Sequence, residues 1–304
     1  MTEPQPFIFD VHLDLSMNAM EWNRDLTQPL EKIRICEANQ TDKPDRSMGT
    51  VCLPEMRKGN VGLCVATQIA RYTKQKNPLP GWHSPAQAWA QSQGQLSWYN
   101  EVERQGELTQ ICNLEQLESH LEKWSTGQNK QLPIGYVLSL EGADSIITLQ
   151  HLELAYENGL RAIGPAHYGP GTYAPGTGES GPLSNGATEL LREMERLNII
   201  LDVTHLSDTS LDQALDTFSG TVWASHCNCR TLVPGERQLN DHQLKRLIER
   251  GGVIGAALDA WMLIPDWQRG LTTPQSSGVK LSHVVDHIDY VCQLAGNSKH
   301  ACIG

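Results

Sequence analysis

The stretch FIFDVHLD, residues 7–14, is a short apolar run that ends in polar side chains. In an extended strand, residues two positions apart project from the same face, so His12 and Asp14 are aimed together. An imidazole and a carboxylate on one face can bind a divalent metal ion. The same arrangement, an apolar run that ends in a potential metal ligand, occurs several times further along the chain.

Eight short apolar runs alternate with longer segments of helical periodicity. Most runs are rich in Val, Ile and Leu and lack strict polar alternation, which is typical of strands buried on both faces. Strand–helix alternation predicts a parallel sheet, and eight strands favour a closed (β/α)8 TIM-type barrel over an open doubly wound sheet. The candidate strands cover residues 7–14, 61–70, 134–140, 160–166, 199–204, 221–225, 252–258 and 301–304. We expect one catalytic barrel domain over residues 1–304, with its eighth strand cut short and its C-terminal portion lacking.

The segments between the runs predict helices with recognisable ends. Ser184, Ser207 and Asn240 are predicted N-caps, and Gly251 and Gly296 are predicted stops. The predicted helices cover residues 86–105, 114–124, 151–158, 184–197, 207–216, 240–251 and 281–295. The stretch HYGPGTYAPGTGESGPL, residues 167–183, is too rich in Gly and Pro for a regular element. It is either a surface loop or, because it follows a strand, a lid over the active face.

Composition narrows the class of protein. The 304 residues carry a formal net charge of -11, which disfavours nucleic-acid and anionic-membrane partners because both reward basic patches. No apolar stretch reaches the roughly 18–20 residues that a membrane-spanning helix needs, and no signal-peptide pattern is visible. We therefore expect a cytoplasmic protein. The eight cysteines are scattered along the chain and predict reduced thiols rather than a disulfide framework.

Polar side chains that can bind a metal terminate several further runs. Glu141 ends the third run, His167 follows the fourth, His205 the fifth and His226 the sixth. In a barrel, all these positions emerge at the same rim. Oxygen and imidazole ligands suit zinc, manganese, cobalt or iron(II). A single catalytic zinc usually has three protein ligands, so the larger set indicates two metals that share a bridging carboxylate.

The motifs of these segments resemble those of the renal (membrane) dipeptidase family, binuclear zinc peptidases of the amidohydrolase-like barrel group. Related barrels usually begin with His-x-His, whereas this chain has His-x-Asp, which favours the dipeptidases. The matching segments are DVHLD (10–14), SLEG (139–142), the histidine of PAHYG (165–169), LDVTHLS (201–207), ASHCNCR (224–230) and ERQLND (236–241) followed by LIERGGVIG (247–255).

The resemblance implies a role for each candidate residue. It implies a metal-dependent dipeptidase in which a hydroxide between two zinc ions attacks the peptide bond of a dipeptide, and it suggests a homodimer. His167 would contact the substrate at the scissile carbonyl, and Arg237 would bind the terminal carboxylate of the substrate. The implied zinc ligands are His12 and Asp14 on one ion, Glu141 bridging, and His205 and His226 on the other.

In the family, the segment that follows the position of Gly304 carries an active-site Asp. That Asp is absent from this sequence, and we expect the 304 residues to be a portion of a longer chain. Two other functions remain open from the residues alone. One is a related amidohydrolase that acts on lactones, N-acyl amino acids or cyclic amides, and the other is a metal-binding homologue without catalysis.

Five further side chains are candidates of a weaker kind. Cys227 and Cys229 flank a candidate ligand, but the ligand set is complete without thiolates, so packing is the favoured interpretation. His283 and His287 are spaced i, i+4 in a helix that lacks a catalytic Glu, which favours a structural role. Asp202 precedes His205 by three residues, and the sequence leaves open whether it orients that ligand.

Overall fold

Apolar runs form parallel strands in this chain, and the amphipathic segments between them form helices. A computed structural model describes residues 6–73, 79–125 and 131–304. Its internal contacts group into two compact units. Unit 1 comprises Met1–Ile69 and Ala90–Ser139, and unit 2 comprises Ala70–Trp89 and Leu140–Gly304. None of the helices in the described ranges is long and apolar enough to cross a membrane.

Unit 1 contains the first strands of the chain. Strand β1 pairs in parallel with β2, where Asp10 lies opposite Cys64, and β3 pairs in parallel with β4. Strand β2 also pairs with β4. These strands are β1 (Ile8–Leu13), β2 (Val61–Gln68), β3 (Leu108–Gln110) and β4 (Ile134–Glu141), whose last residues lie in unit 2. The helices are α1 (Leu15–Met20), α2 (Leu30–Glu37), α3 (Leu53–Lys58), α4 (Pro85–Arg104), whose first residues up to Trp89 lie in unit 2, and α5 (Leu114–Ser125).

Unit 2 contains five strands, each parallel to the next in the chain. They are β5 (Leu160–Gly164), β6 (Ile200–Asp202), β7 (Val222–Ala224), β8 (Val253–Ala256) and β9 (Ala301–Ile303). Because neighbouring strands are parallel, the loops that follow them leave from one edge of the sheet. The helices are α6 (Leu149–Glu157), α7 (Ala187–Arg196), α8 (Asp208–Thr217), α9 (Asp241–Glu249), α10 (Ala260–Leu263), α11 (Pro274–Ser277) and α12 (Leu281–Ala295).

Every predicted apolar run contains a strand. Strand β2 is buried along almost its whole length, which explains why its sequence shows no polar alternation. Strand β3 was not predicted, because three residues are too few to give a periodic signal. The stretch 167–183 contains no helix or extended strand, as predicted, although Tyr168 and Thr177 form one bridge. The single catalytic domain stays a prediction.

Helix capping explains where the helices of unit 2 begin. Ser207 accepts the Ser210 N–H at the start of α8, and Asn240 forms a capping box with Gln243 at the start of α9, as predicted. The prediction that Ser184 caps α7 is wrong, since that helix begins at Ala187.

The cause of the later start of α7 is a turn between Ser184 and the helix. Ser184 O accepts the Ala187 N–H at 3.1 Å. Gly186, the actual N-cap, has a φ of 85°, a left-handed conformation that glycine adopts without strain. The helix then buries Leu190, Leu191 and Met194 along one face. Each such side chain contributes about 1.5–3 kcal/mol by burial.

Candidate metal centre

A carboxylate and two imidazoles converge at the carboxyl ends of the strands in unit 2. Glu141 is the last residue of β4, and its Oε1 atom lies 3.1 Å from His205 Nε2 and 3.2 Å from His226 Nε2. The two Nε2 atoms are 3.2 Å apart. His205 and His226 follow β6 and β7, which are parallel neighbours, so both side chains enter from the same edge of the sheet.

The proton position on His205 follows from its hydrogen-bond partners. Arg237 Nη2 lies 3.2 Å from His205 Nε2, and a guanidinium only donates, so this Nε2 accepts. The neutral ring then carries its proton on Nδ1, which lies 2.8 Å from Thr177 Oγ1. Burial, and after it the positive charge of Arg237, hold the pKa of His205 well below its ordinary value. The ring is neutral at pH 7 and offers the Nε2 lone pair that a metal ligand must have.

The spacing of these atoms fits a divalent ion. Bonds of about 2.0–2.1 Å to a tetrahedral zinc ion place neighbouring ligand atoms about 3.3 Å apart. Glu141 Oε1 lies 3.1 and 3.2 Å from the two histidine Nε2 atoms. Lone pairs that face one another at this distance repel unless a cation or a proton lies between them. The side chains present therefore fit a divalent metal with nitrogen and oxygen ligands.

A hydroxyl and a buried carboxylate order the segments around both histidines. Ser225 Oγ lies 2.8 Å from His226 Nδ1, where it can accept a hydrogen bond from the ring N–H and leave Nε2 as the ligand atom. Asp202 Oδ1 accepts the N–H groups of Thr204 and Ser225 at 3.0 and 3.1 Å. Asp202 thus fixes the backbone immediately before each histidine, which answers the question that the sequence left open.

His205 itself has a strained backbone. Its φ is 70°, in the left-handed region where a side chain costs about 1–3 kcal/mol. The surrounding turns hold it there: the Leu206 N–H donates to Val203 O at 3.3 Å, and the Ser207 N–H donates to Pro175 O at 3.1 Å. Strain of this kind is concentrated at functional sites, where it helps to hold a side chain in place.

The Gly- and Pro-rich stretch after β5 contributes both His167 and Thr177. The Thr177 N–H donates to His167 O at 2.9 Å, and the Gly176 N–H donates to Gly169 O at 2.8 Å. A Cβ on Gly176 would lie 1.8 Å from His167 O, so only glycine permits this approach. The loop thus places the Thr177 hydroxyl beside His205.

His167 lies at the edge of the same centre. Its Nε2 is 3.8 Å from Glu141 Oε1, and its ring centroid is 4.6 Å from that of His205. These three residues offer one ligand atom each within 4.8 Å of one another. The other ring nitrogen, Nδ1, lies 3.3 Å from Nη1 of Arg71. His167 is therefore placed either to bind a metal or to act on a bound molecule.

Arg237 is buried beside the two histidines. Its Nη2 donates to His226 O at 2.9 Å, and its Nη1 lies 3.3 Å from Cys227 Sγ. Its Nε finds no hydrogen-bond partner among the described residues. A buried guanidinium with an unused N–H suits recognition of a carboxylate.

His12 and Asp14 lie in unit 1, at the end of β1. His12 Nε2 is 3.6 Å from Asp14 Oδ1, so the two side chains are adjacent as the strand geometry predicts. The Thr67 hydroxyl donates to Asp14 Oδ1, and the Asn18 side chain donates to Asp14 O at 2.9 Å. These contacts hold the carboxylate at the start of α1.

The weaker candidates have structural roles. Cys229 donates its N–H to His287 Nδ1 at 3.1 Å, and His287 is buried. His283 is half-buried and accepts the Lys280 N–H at the start of α12, so the two histidines of that helix make different contacts. Burial raises the pKa of Cys227, which keeps it a thiol. These contacts support packing roles for the cysteines.

Three residues at the site were not found by sequence analysis: Thr177, Ser225 and Arg71. Ser225 directly precedes His226, and that adjacency is a usable signal. Thr177 lies within a loop whose path depends on glycines, and Arg71 follows a strand in a different part of the chain. The sequence signal for Arg71 is that a charged residue directly follows the buried run of β2.

Known proteins resemble the chain in sequence. Dipeptidase tcpJ of Claviceps purpurea is 29% identical over 170 residues, which cover 53% of this chain and 38% of that protein. The chain spans about half the length of the curated relatives it matches, with aligned parts of 51%, 38% and 57% of three of them.

Solved structures match nearly the whole chain. The dipeptidase AC, a metallopeptidase of family M19, has a TM-score of 0.76 at 21% identity, covering 99% of this chain and 84% of that one. A metallopeptidase from Rhodobacter sphaeroides, liganded with a phosphinate mimic of the dipeptide L-Ala-D-Ala, has a TM-score of 0.72 at 20% identity, covering 99% and 86%. The predicted (β/α)8 TIM-type barrel is thereby confirmed.

The family itself follows from the sequence profile. The profile described as membrane dipeptidase, peptidase family M19, matches residues 4–304, which is nearly the entire sequence. The chain therefore belongs to the membrane dipeptidase family, peptidase family M19.

Proposed function

We propose that the protein is a metal-dependent dipeptidase that hydrolyses the peptide bond of dipeptides. One observation carries the proposal: Glu141 Oε1 lies 3.1 Å from His205 Nε2 and 3.2 Å from His226 Nε2, at the spacing of metal ligands. Family membership supports the same activity. The phosphinate mimic of a dipeptide in the Rhodobacter sphaeroides structure supports a dipeptide as substrate.

The proposed cofactor is a pair of zinc ions. Glu141 would bridge them, His205 and His226 would bind one ion, and His12 and Asp14 would bind the other. Two observations support the assignment of His12 and Asp14. They form an adjacent imidazole–carboxylate pair at the end of β1, and the chain matches the family. Two divalent ions, when bound, activate a water molecule at neutral pH and polarise the scissile carbonyl.

The residues around the centre bind and orient the substrate. His167 would donate from Nε2 to the carbonyl oxygen and stabilise the charge that develops there. Arg237 would bind the C-terminal carboxylate of the substrate through its guanidinium. Because a longer peptide has no carboxylate at that position, this contact restricts the enzyme to dipeptides.

The test is metal reconstitution of the full-length protein. We expect the metal-free protein to hydrolyse no dipeptide and to regain hydrolysis with zinc, manganese or cobalt. The His226→Ala variant should remain inactive after reconstitution, whereas His283→Ala, which removes a half-buried histidine of α12, should retain activity. Failure of the wild type to act on any dipeptide with all three metals contradicts the proposal.

A second substrate series separates the dipeptidase from related amidohydrolases. Dipeptide amides lack the terminal carboxylate, so we expect a much higher KM for them with the wild type. The Arg237→Met variant should lose this discrimination. Preferred hydrolysis of lactones or N-acyl amino acids would indicate the alternative activity instead.

A further inference from the structure

Arg71 comes from a distant segment of the chain and contacts the ring of His167. Its Nη1 lies 3.3 Å from His167 Nδ1, and both side chains are partly buried. Arg71 follows β2 in the sequence, and it belongs to the same unit as His167. Nothing in the family resemblance assigns it a role.

The chemistry of the two groups fixes the direction of this contact. A guanidinium has five N–H donors and no acceptor, so Arg71 donates and His167 Nδ1 accepts. A neutral imidazole whose Nδ1 accepts carries its proton on Nε2. That Nε2 is the nitrogen that lies 3.8 Å from Glu141 Oε1. The proton-bearing side of the His167 ring therefore faces the candidate metal centre.

His205 has the opposite arrangement. Its Nδ1 lies 2.8 Å from the Thr177 hydroxyl, which can accept a hydrogen bond from Nδ1–H, and its Nε2 accepts from Arg237. The partner of Nδ1 thus separates the two roles. A hydroxyl that accepts from Nδ1–H leaves the lone pair of the ring on Nε2, whereas a guanidinium that donates to Nδ1 leaves the proton on Nε2. This distinction identifies His167 as a hydrogen-bond donor rather than a third imidazole ligand.

The segment around Arg71 is built to hold the guanidinium in place. Arg71 Nε donates to Pro80 O at 3.0 Å. The Trp82 N–H donates to Arg71 O, and the Thr73 N–H donates to Trp82 O, both at 2.8 Å. A Cβ on Gly81 would lie 2.8 Å from Arg71 O, so the close approach of these two segments requires glycine. The guanidinium is thus fixed from its own backbone and from Pro80.

We propose that Arg71 is a positioning residue that holds His167 in the tautomer protonated on Nε2, so that Nε2–H donates to the scissile carbonyl oxygen of the substrate. The inference rests on the proposed function for the identity of that oxygen. The tautomer follows from the contact between Arg71 and His167, whatever the substrate is.

The direct test is nitrogen NMR of histidine in the full-length, metal-loaded protein. Protein labelled with 15N-histidine gives distinct signals for protonated and unprotonated ring nitrogens, and the His167→Gln variant identifies the signals of His167. We expect His167 to carry its proton on Nε2 in the wild type, and Arg71→Met to give a mixture of both tautomers. A wild-type ring protonated on Nδ1, or an unchanged ring in Arg71→Met, overturns the proposal.

Kinetics provide the second readout. Loss of a preorganised donor to a developing oxyanion lowers kcat by about 100–1000-fold. In a mixture of tautomers, only part of the protein population has this donor. We therefore expect kcat to fall about 10–100-fold in Arg71→Met, with little change in KM. Arg71→Lys should restore part of kcat, because an ammonium also only donates. An equal loss in Arg71→Lys and Arg71→Met, or a change confined to KM, contradicts the assignment.

A matched control removes a structural arginine elsewhere in the same unit. Arg250 donates to Leu215 O and Gly220 O at 3.2 and 2.7 Å, away from the candidate centre. Arg250→Met should change neither the His167 tautomer nor kcat. If the wild type hydrolyses no dipeptide, the proposed function fails, whereas the NMR result still decides the tautomer.

Discussion

The hydroxyl of Thr177 orients the His205 ring and its candidate ligand atom, Nε2. The ring is buried, its Nδ1 lies 2.8 Å from Thr177 Oγ1, and this partner holds both the tautomer and the rotation of the ring. Groups that orient metal-binding histidines in this way typically contribute a factor of 10–100 to metal affinity. The Gly176–Thr177 segment therefore matters for the centre although it need not touch a metal.

Substitution of Thr177 by Val tests this contribution. The valine side chain is close in size to threonine and lacks the hydroxyl, so His205 loses its partner without a large change in packing. We expect metal affinity to fall about 10–100-fold, measured by competition with a chromophoric chelator. Thr217→Val, at the exposed end of α8, is the matched control and should leave affinity unchanged. Equal affinities of wild type and Thr177→Val would show that the hydroxyl does not orient the ligand.

At the level of single residues, the sequence indicated which side chains converge, but not the residues that contact and orient them. Glu141, His205 and His226 end or follow apolar runs, so strand periodicity alone brings them to one edge. Thr177 and Arg71 reach the site through loops. Their positions depend on close backbone approaches at Gly176 and Gly81, which no local pattern encodes.

Helix α2 in unit 1 is attached to its surroundings by one buried carboxylate. Glu37 Oε1 lies 2.8 Å from Arg24 Nε and 2.8 Å from Arg46 Nη1, and the Ser47 N–H donates to its other oxygen at 2.8 Å. Arg24 also donates to Asn18, which in turn contacts the backbone of Asp14. The network thus connects α2 to the segment that follows β1.

This network predicts a specific dependence of stability on pH. Burial would raise the pKa of Glu37, but hydrogen bonds from Arg24 and Arg46 outweigh it and lower the pKa to about 2, from an ordinary value of 4.5. The folded state therefore gains stability from ionised Glu37 above pH 4.5, and this gain is lost as the pH falls towards 2.

The Glu37→Gln variant should remove that gain. It removes the charge that Arg24 and Arg46 share, although each keeps one more exposed partner, Asp45 and Asp42 respectively. We expect a loss of about 1–3 kcal/mol in the free energy of unfolding at pH 7. Urea unfolding at pH 7 and at pH 3 should show a smaller difference between variant and wild type at the lower pH. Glu31→Gln, at an exposed position in the same helix, is the control. A Glu37→Gln variant as stable as wild type at pH 7 would contradict this account.

At the level of elements, the predictable ones are those with a strong periodic signal. The apolar runs that form β1, β2 and β4 to β9 are rich in Val, Ile and Leu. The long helices α4, α5 and α12 lie where the hydrophobic periodicity predicts them. Helix α2 was not predicted, because its burial depends on the charged Glu37 and on Ile33 rather than on an apolar face. Tertiary ion pairs of this kind leave no local pattern in the sequence.

For the whole molecule, the fold alone does not determine which reaction is catalysed. Barrels of this class support many reactions, so the activity depends on which side chains line the carboxyl ends of the strands. The cytoplasmic location and the homodimer stay predictions. The candidate ligands come from separate segments of the chain and meet in the folded state. We therefore expect metal binding to stabilise the folded protein as a whole.

Metal removal is therefore expected to destabilise the entire protein. At a free ion concentration of about 100 times Kd, binding stabilises the folded state by about 2.7 kcal/mol per site. Calorimetry should show a lower Tm after treatment with a chelator, recovery on addition of zinc, and a further rise with zinc concentration. His226→Ala should weaken this response, and His283→Ala should keep it. A Tm that is the same before and after verified removal of the metal would mean that these side chains do not form a metal site in the folded protein.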